Sequence, residues 1–219
     1  MKKYKNILKN CPLFAGIEEE DLFRMLNCLG ARVISFDKKY TVFKEGSPAK
    51  YIGIMLSGTA QITRVDYYGN RSIIAEVGKG ELFCEAFALA EVGELPVSVV
   101  ANEPCDVMLI DSSHILHTCH NNCGFHQQLI FNLMKDVAAK TLTFHQKLEI
   151  ISKRTTRDKL MAYLMIRASM ANSDSFEIPF DRQELADYLE VDRSGLSAEI
   201  SKLRREGILE CEKNRFVLM

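Results

Sequence analysis

The most regular spacing of apolar and polar positions runs from residue 124 to residue 151, a stretch without proline in which Gly124 is the only glycine. Ile130, Met134, Val137, Thr141, Phe144, Leu148 and Ile151 follow one another at steps of 4, 3, 4, 3, 4 and 3 residues. Such steps keep one narrow stripe on a single side of a helix, as the a and d positions of a coiled coil do. A helix packed on its own domain would carry a wider stripe. Here the flanks hold Lys135, Asp136, Lys140, Gln146, Lys147 and Glu149. The stretch is therefore expected to be a long dimerisation helix that pairs with its copy in a homodimer. Thr141, the polar position of the stripe, has two open roles: fixing register or facing a ligand.

Ahead of that helix, from about residue 13 to residue 111, Gly46, Gly53, Gly58, Gly69, Gly78, Gly80 and Gly93 break the chain into short pieces. Residues 51–56, 59–65, 72–77 and 106–110 are rich in β-branched and aromatic side chains, and several alternate apolar with polar. That pattern predicts an antiparallel β sandwich, barrel or roll. Tyr68-Gly69-Asn70 suits a hairpin turn, because Gly and Asn tolerate positive φ. The acidic run 18–21 before Leu22 and Phe23 marks the first turn of a helix, where the helix dipole favours negative charge.

Beyond the long helix, Leu160, Tyr163, Leu164 and Ala168 give residues 156–171 a helical period, and Ser173-Asp174-Ser175 ends it. A strand-like piece at 176–180 follows, then two short amphipathic helices at 182–189 and 193–206. The last segment, 208–219, alternates around Lys213-Asn214 like a hairpin. This order is that of a winged helix-turn-helix. The fold class is α+β, with a β domain over 1–123, the dimerisation helix over 124–151 and the winged helix over 152–219.

A helix-turn-helix reads DNA because its first helix braces the second, which enters the major groove. The apolar side is present: Leu185, Ala186 and Leu189 on the brace, and Leu196, Ile200 and Leu203 on the reading helix. Glu190-Val191-Asp192 forms the turn, with Val191 as a buried plug and Asp192 as N-cap. The outer face carries Arg193, Ser194, Ser197 and Ser201, where a guanidinium and hydroxyls meet base edges and phosphates. Arg182 and Gln183 open the brace helix, whose free N–H groups attract a phosphate. Lys202, Arg204 and Arg205 close the reading helix.

Charge tempers that picture. The 219 residues hold 28 Lys+Arg and 29 Asp+Glu, a net charge of −1, so any hold on nucleic acid is local. Residues 152–219 contain 12 of each sign, which implies modest non-specific affinity. The longest apolar runs, such as 161–166, fall far short of the roughly 20 residues a membrane span needs. Seven cysteines at irregular spacings do not form a disulfide framework. A reduced, cytoplasmic protein with no membrane partner is expected. No Gly-x-Ser-x-Gly, phosphate-cradling glycine loop or His-Glu-x-x-His occurs, so an enzyme is not expected.

His114, His117, Cys119, His120, Cys123 and His126 fall within thirteen residues and include four of the five histidines. Thiolate and imidazole suit zinc, copper or haem iron. No four-ligand spacing matches an established site, so buried cysteines acting as small apolar residues, beside capping or solvated histidines, are the preferred reading of the run. No metal is assigned. His117, Cys119, His120, Cys123 and His126 are the candidates if this segment senses metal, haem or redox state.

The order of β domain, long helix and winged helix resembles the CRP/FNR family of bacterial transcription regulators. The likeness covers essentially the whole chain. It is carried by Arg182-Gln183-Glu184-Leu185-Ala186, by Val191-Asp192-Arg193-Ser194 and by Gly80-Glu81-Leu82-Phe83. The resemblance implies a cyclic-nucleotide-binding-like β-roll and a homodimer on a two-fold double-stranded DNA operator with half-sites about 34 Å apart. RNA polymerase is an implied partner. A small effector would sit in the roll against the dimer helix, near Glu81, Leu82, Phe83, Leu95, Ser98 and Thr141.

Three departures from the family follow. Leu95 stands where cyclic-nucleotide binders carry the arginine that meets the cyclic phosphate, so cyclic AMP is not expected. Glu81 would correspond to the ribose-hydroxyl acceptor. Cys11 and Cys28 are too few at the N-terminal end for the iron–sulfur branch, whose cluster needs several closely spaced thiolates. Arg193 matches the first arginine of the cyclic-AMP receptor's reading helix, but Ser194 and Ala198 replace its glutamate and second arginine, so the operator differs. The effector is unidentified. A metal-, haem- or redox-responsive regulator and a cyclic-nucleotide-binding regulator remain the alternatives.

Overall fold

In the computed structural model, which describes residues 2–116 and 125–219, two short helices come first: α1 (Lys5–Asn10) and α2 (Glu19–Cys28). Glu19, Glu20 and Asp21 occupy the first turn of α2, as the acidic run implies, and Leu22, Met25 and Leu26 form its buried face. Strands β1 (Arg32–Phe36), β2 (Thr41–Phe43), β3 (Tyr51–Ser57), β4 (Ala60–Val65), β5 (Arg71–Val77) and β6 (Leu82–Phe83) follow. Next come helix α3 (Glu85–Leu89), strands β7 (Ser98–Ala101) and β8 (Cys105–Asp111), and helix α4 (Ser113–Leu116).

These strands form two four-stranded sheets, ordered β1-β8-β3-β6 and β2-β7-β4-β5. Strand β8 pairs antiparallel with both β1 and β3, placing Met108 beside Val33 and Ile54. Strand β3 is central, and residues 52–56 are buried throughout, which is why that segment reads as a continuous apolar run. The sheets meet over an apolar cluster that includes Met55, Phe83, Leu95, Val99 and Val107.

Asp106 on β8 is the polar hub of this region. It accepts hydrogen bonds from the hydroxyls of Ser35, Tyr4 (2.5 Å) and Ser57 (3.1 Å), with Lys3 at 3.6 Å. Those bonds, led by that from Ser35, hold its carboxyl down to a pKa of about 2.

Helix α5 (Phe125–Ile151) runs uninterrupted for 27 residues, and α6 (Thr156–Ala171) follows it. The rest is β9 (Ser175–Glu177), α7 (Arg182–Leu189), α8 (Arg193–Arg205), β10 (Leu209–Glu212) and β11 (Arg215–Leu218), with a three-stranded sheet ordered β10-β11-β9. The chain divides into two compact units, Met1–Val65 with Ile74–Thr141 and Asp66–Ile73 with Leu142–Met219. The tip of the β4–β5 hairpin therefore belongs to the unit that contains the winged helix.

Along α5, Leu129 and Leu133 are buried in the first unit and Ile150 in the second. The heptad positions point elsewhere. Met134, Thr141, Phe144 and Leu148 are exposed, and Ile130, Val137 and Ile151 are half-buried. One flanking residue departs from expectation: Lys147, read as a solvated flank, is buried, because residues 71–73 of the hairpin tip cover it. Two further details differ. Val191 is half-buried rather than a buried plug, and the strand expected over 176–180 stops at Glu177.

Candidate nucleic-acid interface

Each helix of the winged module is built at its ends by side chains that satisfy free N–H groups. Asp181 accepts from the Glu184 backbone N–H at 2.8 Å while Glu184 accepts from that of Asp181, a reciprocal capping box on α7. Asp192 caps α8 by accepting from the Gly195 N–H at 2.9 Å, as expected, and its carboxyl is held below the usual range chiefly by the Ser194 hydroxyl. Glu190 ends α7 in the left-handed region, at φ 53°, which reverses the chain into the turn. Leu185, Ala186, Leu189, Leu196, Ile200 and Leu203 are all buried in one cluster. The brace and reading helix are thus locked together by apolar packing and paired ends.

The six proposed DNA contacts do not all behave alike. Arg193, Ser194 and Ser201 are exposed and Ser197 is half-buried, on the side of α8 away from its core. Ser194 already donates to Asp192, and Ser201 to the Ser197 carbonyl at 2.9 Å, so both hydroxyl protons are engaged within the chain. Gln183 donates to Asp187 at 2.7 Å. Arg182 leans on the wing: its guanidinium lies 5.7 Å from the Phe216 ring centre and donates to the Lys213 carbonyl at 3.5 Å.

The structure resolves the even charge count of this module. Some of its acidic groups are engaged internally, while Asp174, Glu177, Glu190, Glu210 and Glu212 are exposed. Asp181, Glu184 and Asp192 are caps; Arg157 of α6 lies 2.7 Å from Glu206 and 3.6 Å from Glu199, the acidic residues of the reading helix and its C-cap. Lys202, Arg204, Arg205, Lys213 and Arg215 stand exposed. Arg204, Arg205 and Arg215 line an open groove of about 970 Å³ between α8 and the wing, together with Glu210 and Glu212. Arg157 and Arg215 escape a reading based on the helix-turn-helix pattern. Arg157 acts from another helix, and Arg215 lies in a hairpin whose pattern marks only the strands.

In the other unit, the expected effector residues separate into two groups. Phe83 and Leu95 pack in one apolar cluster, Leu95 only 3% exposed. The Phe83 ring lies directly on Gly53, where a Cβ would come within 2.2 Å of it, so only glycine fits. Leu82 is buried in the adjacent cluster. Ser98 accepts from the Glu45 N–H at 3.0 Å, and Thr141 is exposed, donating to the Val137 carbonyl at 2.9 Å. Glu81 accepts from the Gly78 N–H at 2.8 Å and so caps its own loop.

An unforeseen ionic cluster lies beside them. The Lys140 ammonium donates to the Leu82 carbonyl at 2.8 Å and the Glu85 carboxylate at 2.9 Å, with Asp136 also at 2.9 Å. The ammonium thus makes two hydrogen bonds and a further ion pair, and Glu85 is only 4% exposed. Cys84 next to it has a left-handed backbone, φ 60°, and burial pushes its thiol up to about 12, as it does that of Cys11. Burial thus favours the protonated form of both thiols.

Of the histidine and cysteine candidates, His117, Cys119, His120 and Cys123 lie outside the described residues. His126 donates from Nε2 to the His114 carbonyl at 3.2 Å, and His114 from Nδ1 to the Leu29 carbonyl at 2.9 Å. Among the described residues no group of histidine, cysteine and carboxylate side chains could hold a metal ion.

Comparison with known proteins matches residues 33–122 to the cyclic nucleotide-binding domain and residues 158–219 to the Crp-like helix-turn-helix domain. The chain is 21% identical over 200 residues to the transcriptional activator protein FnrL of Cereibacter sphaeroides, covering 84% of this chain and 75% of that one. It is 23% identical to the cyclic AMP receptor protein of Thermus thermophilus, covering 92% and 89%. Among solved structures, the c-di-GMP-responsive global regulator CLP of Xanthomonas campestris superposes with a TM-score of 0.76 at 16% identity, over 92% of this chain and 99% of that one. That likeness shows the fold.

Proposed function

We propose that this chain, which belongs to the CRP/FNR family of DNA-binding transcription regulators, works as a homodimer joined along α5 and reads a two-fold operator with one α8 from each protomer. The family is not one of enzymes. The observation that carries the dimer is the exposed apolar stripe of α5. Met134, Phe144 and Leu148 are 59%, 47% and 59% exposed on a helix that buries Leu129, Leu133 and Ile150 in the two cores, with Phe131 and Leu142 exposed outside the stripe. A second copy of the same stripe buries it. The division follows: a sensing roll over 1–123, a dimer helix over 124–151 and a reading module over 152–219. RNA polymerase is the proposed protein partner.

Arg193 is assigned to a base edge, with Ser194, Ser197 and Ser201 beside it. Arg182, Gln183, Lys202, Arg204, Arg205 and Arg215 are assigned to phosphates. The capping roles of Asp181, Glu184 and Asp192 and the pairing of Arg157 with Glu199 and Glu206 support this, because they offset acidic charge close to Arg193, Lys202, Arg204 and Arg205.

The roll is proposed to sense a small effector other than cyclic AMP. The Thermus relative is named for cyclic AMP and the Xanthomonas structure for c-di-GMP, and both molecules carry phosphate. Here Leu95 is buried among Phe83 and Val99 where the family resemblance would place an arginine, and the Lys140 ammonium is already paired with Glu85 and Asp136 and bonded to the Leu82 carbonyl. A phosphate buried beside Leu95 would lack the arginine that offsets its desolvation in cyclic-nucleotide binders. Among the described residues no helix is long and apolar enough to cross a membrane, and a cytoplasmic location is proposed.

A mobility-shift titration of fragmented genomic DNA at rising salt tests the reading. Retained bands on a few fragments at about 0.15 M salt support an operator reader. Uniform retention that vanishes with salt would leave only non-specific binding.

A further inference from the structure

The tip of the β4–β5 hairpin, Asp66–Ile73, is part of the unit that holds the winged helix. Its turn is rigid. The Asp66 carboxylate accepts from the backbone N–H groups of Tyr68 and Asn70 and from the Asn70 side chain, each at 2.8 Å, and Gly69 supplies a φ of +86°. From this turn Ile73 enters the core of the DNA-reading module, fully buried in one cluster with Tyr163, Phe180, Leu185 and Leu189.

Two polar links bind the same tip to the outer face of α7. The Lys147 ammonium donates to the Ile73 carbonyl and sits 4.4 Å from the Tyr188 ring centre. Arg71 lies 4.0 Å from one oxygen of Asp187, whose other oxygen accepts from Gln183 at 2.7 Å. Lys147 is 7% exposed, and burial pushes its pKa down to about 8. A methionine would fill the same space without burying a charge. What the lysine adds is a tie between a hairpin carbonyl and a ring of the brace helix.

We infer that Lys147 and Arg71, acting through the Ile73 carbonyl, Tyr188 and Asp187, are positioning residues that fix the brace helix α7 for DNA reading. This rests on the proposed DNA-reading role of α7 and α8. The tip is covalently continuous with strands β4 and β5. Gln183 is held in the same chain of contacts, one residue from Arg182 at the end of α7 proposed to meet phosphate.

The test uses the full chain, a fluorescein-labelled mixed-sequence 30-base-pair duplex at about 50 mM salt, and the variants Lys147→Met and Arg71→Ala. Both are expected to bind the duplex at least about threefold more weakly. Hydrogen exchange in 182–189 is expected to rise in both, with exchange in β1, β3 and β8 unchanged. Wild-type affinity is expected to fall between pH 7 and 9 as the ammonium deprotonates, and Lys147→Met to be flat. The groups facing Lys147 leave that assignment clear. Tyr188 has its pKa raised by burial, Glu190 lies at the end of α7, and Arg71 pairs with Asp187. Unchanged affinity and unchanged α7 exchange in folded Arg71→Ala would overturn the inference, as would a wild-type pH profile in Lys147→Met. If the wild-type chain fails to bind the duplex, the DNA-reading role itself fails, and exchange in α7 still decides whether the tie positions the helix.

Discussion

Arg157 on α6 ion-pairs with Glu206 at 2.7 Å, across 49 residues of sequence, and reaches Glu199 on the same reading helix. The pair holds the Glu206 carboxyl below its usual range. Its value for function is electrostatic, since it neutralises carboxylates next to the surface assigned to phosphate. Arg157→Gln is expected to weaken duplex binding about threefold to tenfold at low salt, with the loss shrinking as salt screens the released charges. Fluorescence anisotropy over a salt series checks this.

Arg193 starts the reading helix with its side chain exposed. Arg193→Ala is expected to relax the sequence preference at one base pair per half-site and to cost about 1–3 kcal/mol per contact. Selection of bound sequences from a random pool, wild type against variant, reads this out. An equal loss on every sequence would move Arg193 to the phosphates.

The Lys140 cluster is expected to contribute to the stability of the first unit. Lys140→Met leaves Glu85 and Asp136 buried against each other without a cation, and removing one partner of a buried pair costs about 3–5 kcal/mol. Urea denaturation followed by circular dichroism measures it. Adding Glu85→Gln is expected to restore part of the loss, which separates charge from packing.

Acid stability turns on Asp106. Its pKa is about 2 in the folded chain, below the ordinary carboxyl value of 3.8. The stabilisation it provides is complete above about pH 4 and is lost as pH falls from 3.8 toward 2. The thermal midpoint of Asp106→Asn is expected to lie below that of wild type at pH 6, with the gap closing toward pH 2.

What could be read from the sequence is what repeats locally. The heptad from Ile130 to Ile151 and the apolar positions Leu185, Leu189, Leu196 and Leu203 recur within a helical turn or two, and the structure places them on the expected helices. Strands β1 and β7 gave no signal of their own: β1 is largely exposed, so its residues do not alternate cleanly, and β7 is only four residues long. Lys147 looked like a solvated flank because its cover, Ile73, lies 74 residues earlier. Lys140 and Glu85 are 55 residues apart, and only the folded roll brings them together. The capping role of Glu81 toward Gly78 was within reach of the sequence, since three residues separate them, but the family likeness drew it toward a ligand.

The pairing of two α5 helices is the claim on which operator reading depends, and sedimentation velocity tests it most directly. Wild-type protein is expected to sediment at twice the mass of one chain. Val137→Glu with Phe144→Glu is expected to give folded monomers with strongly reduced DNA affinity. A wild-type monomer, or a double variant that remains a dimer, would contradict the account.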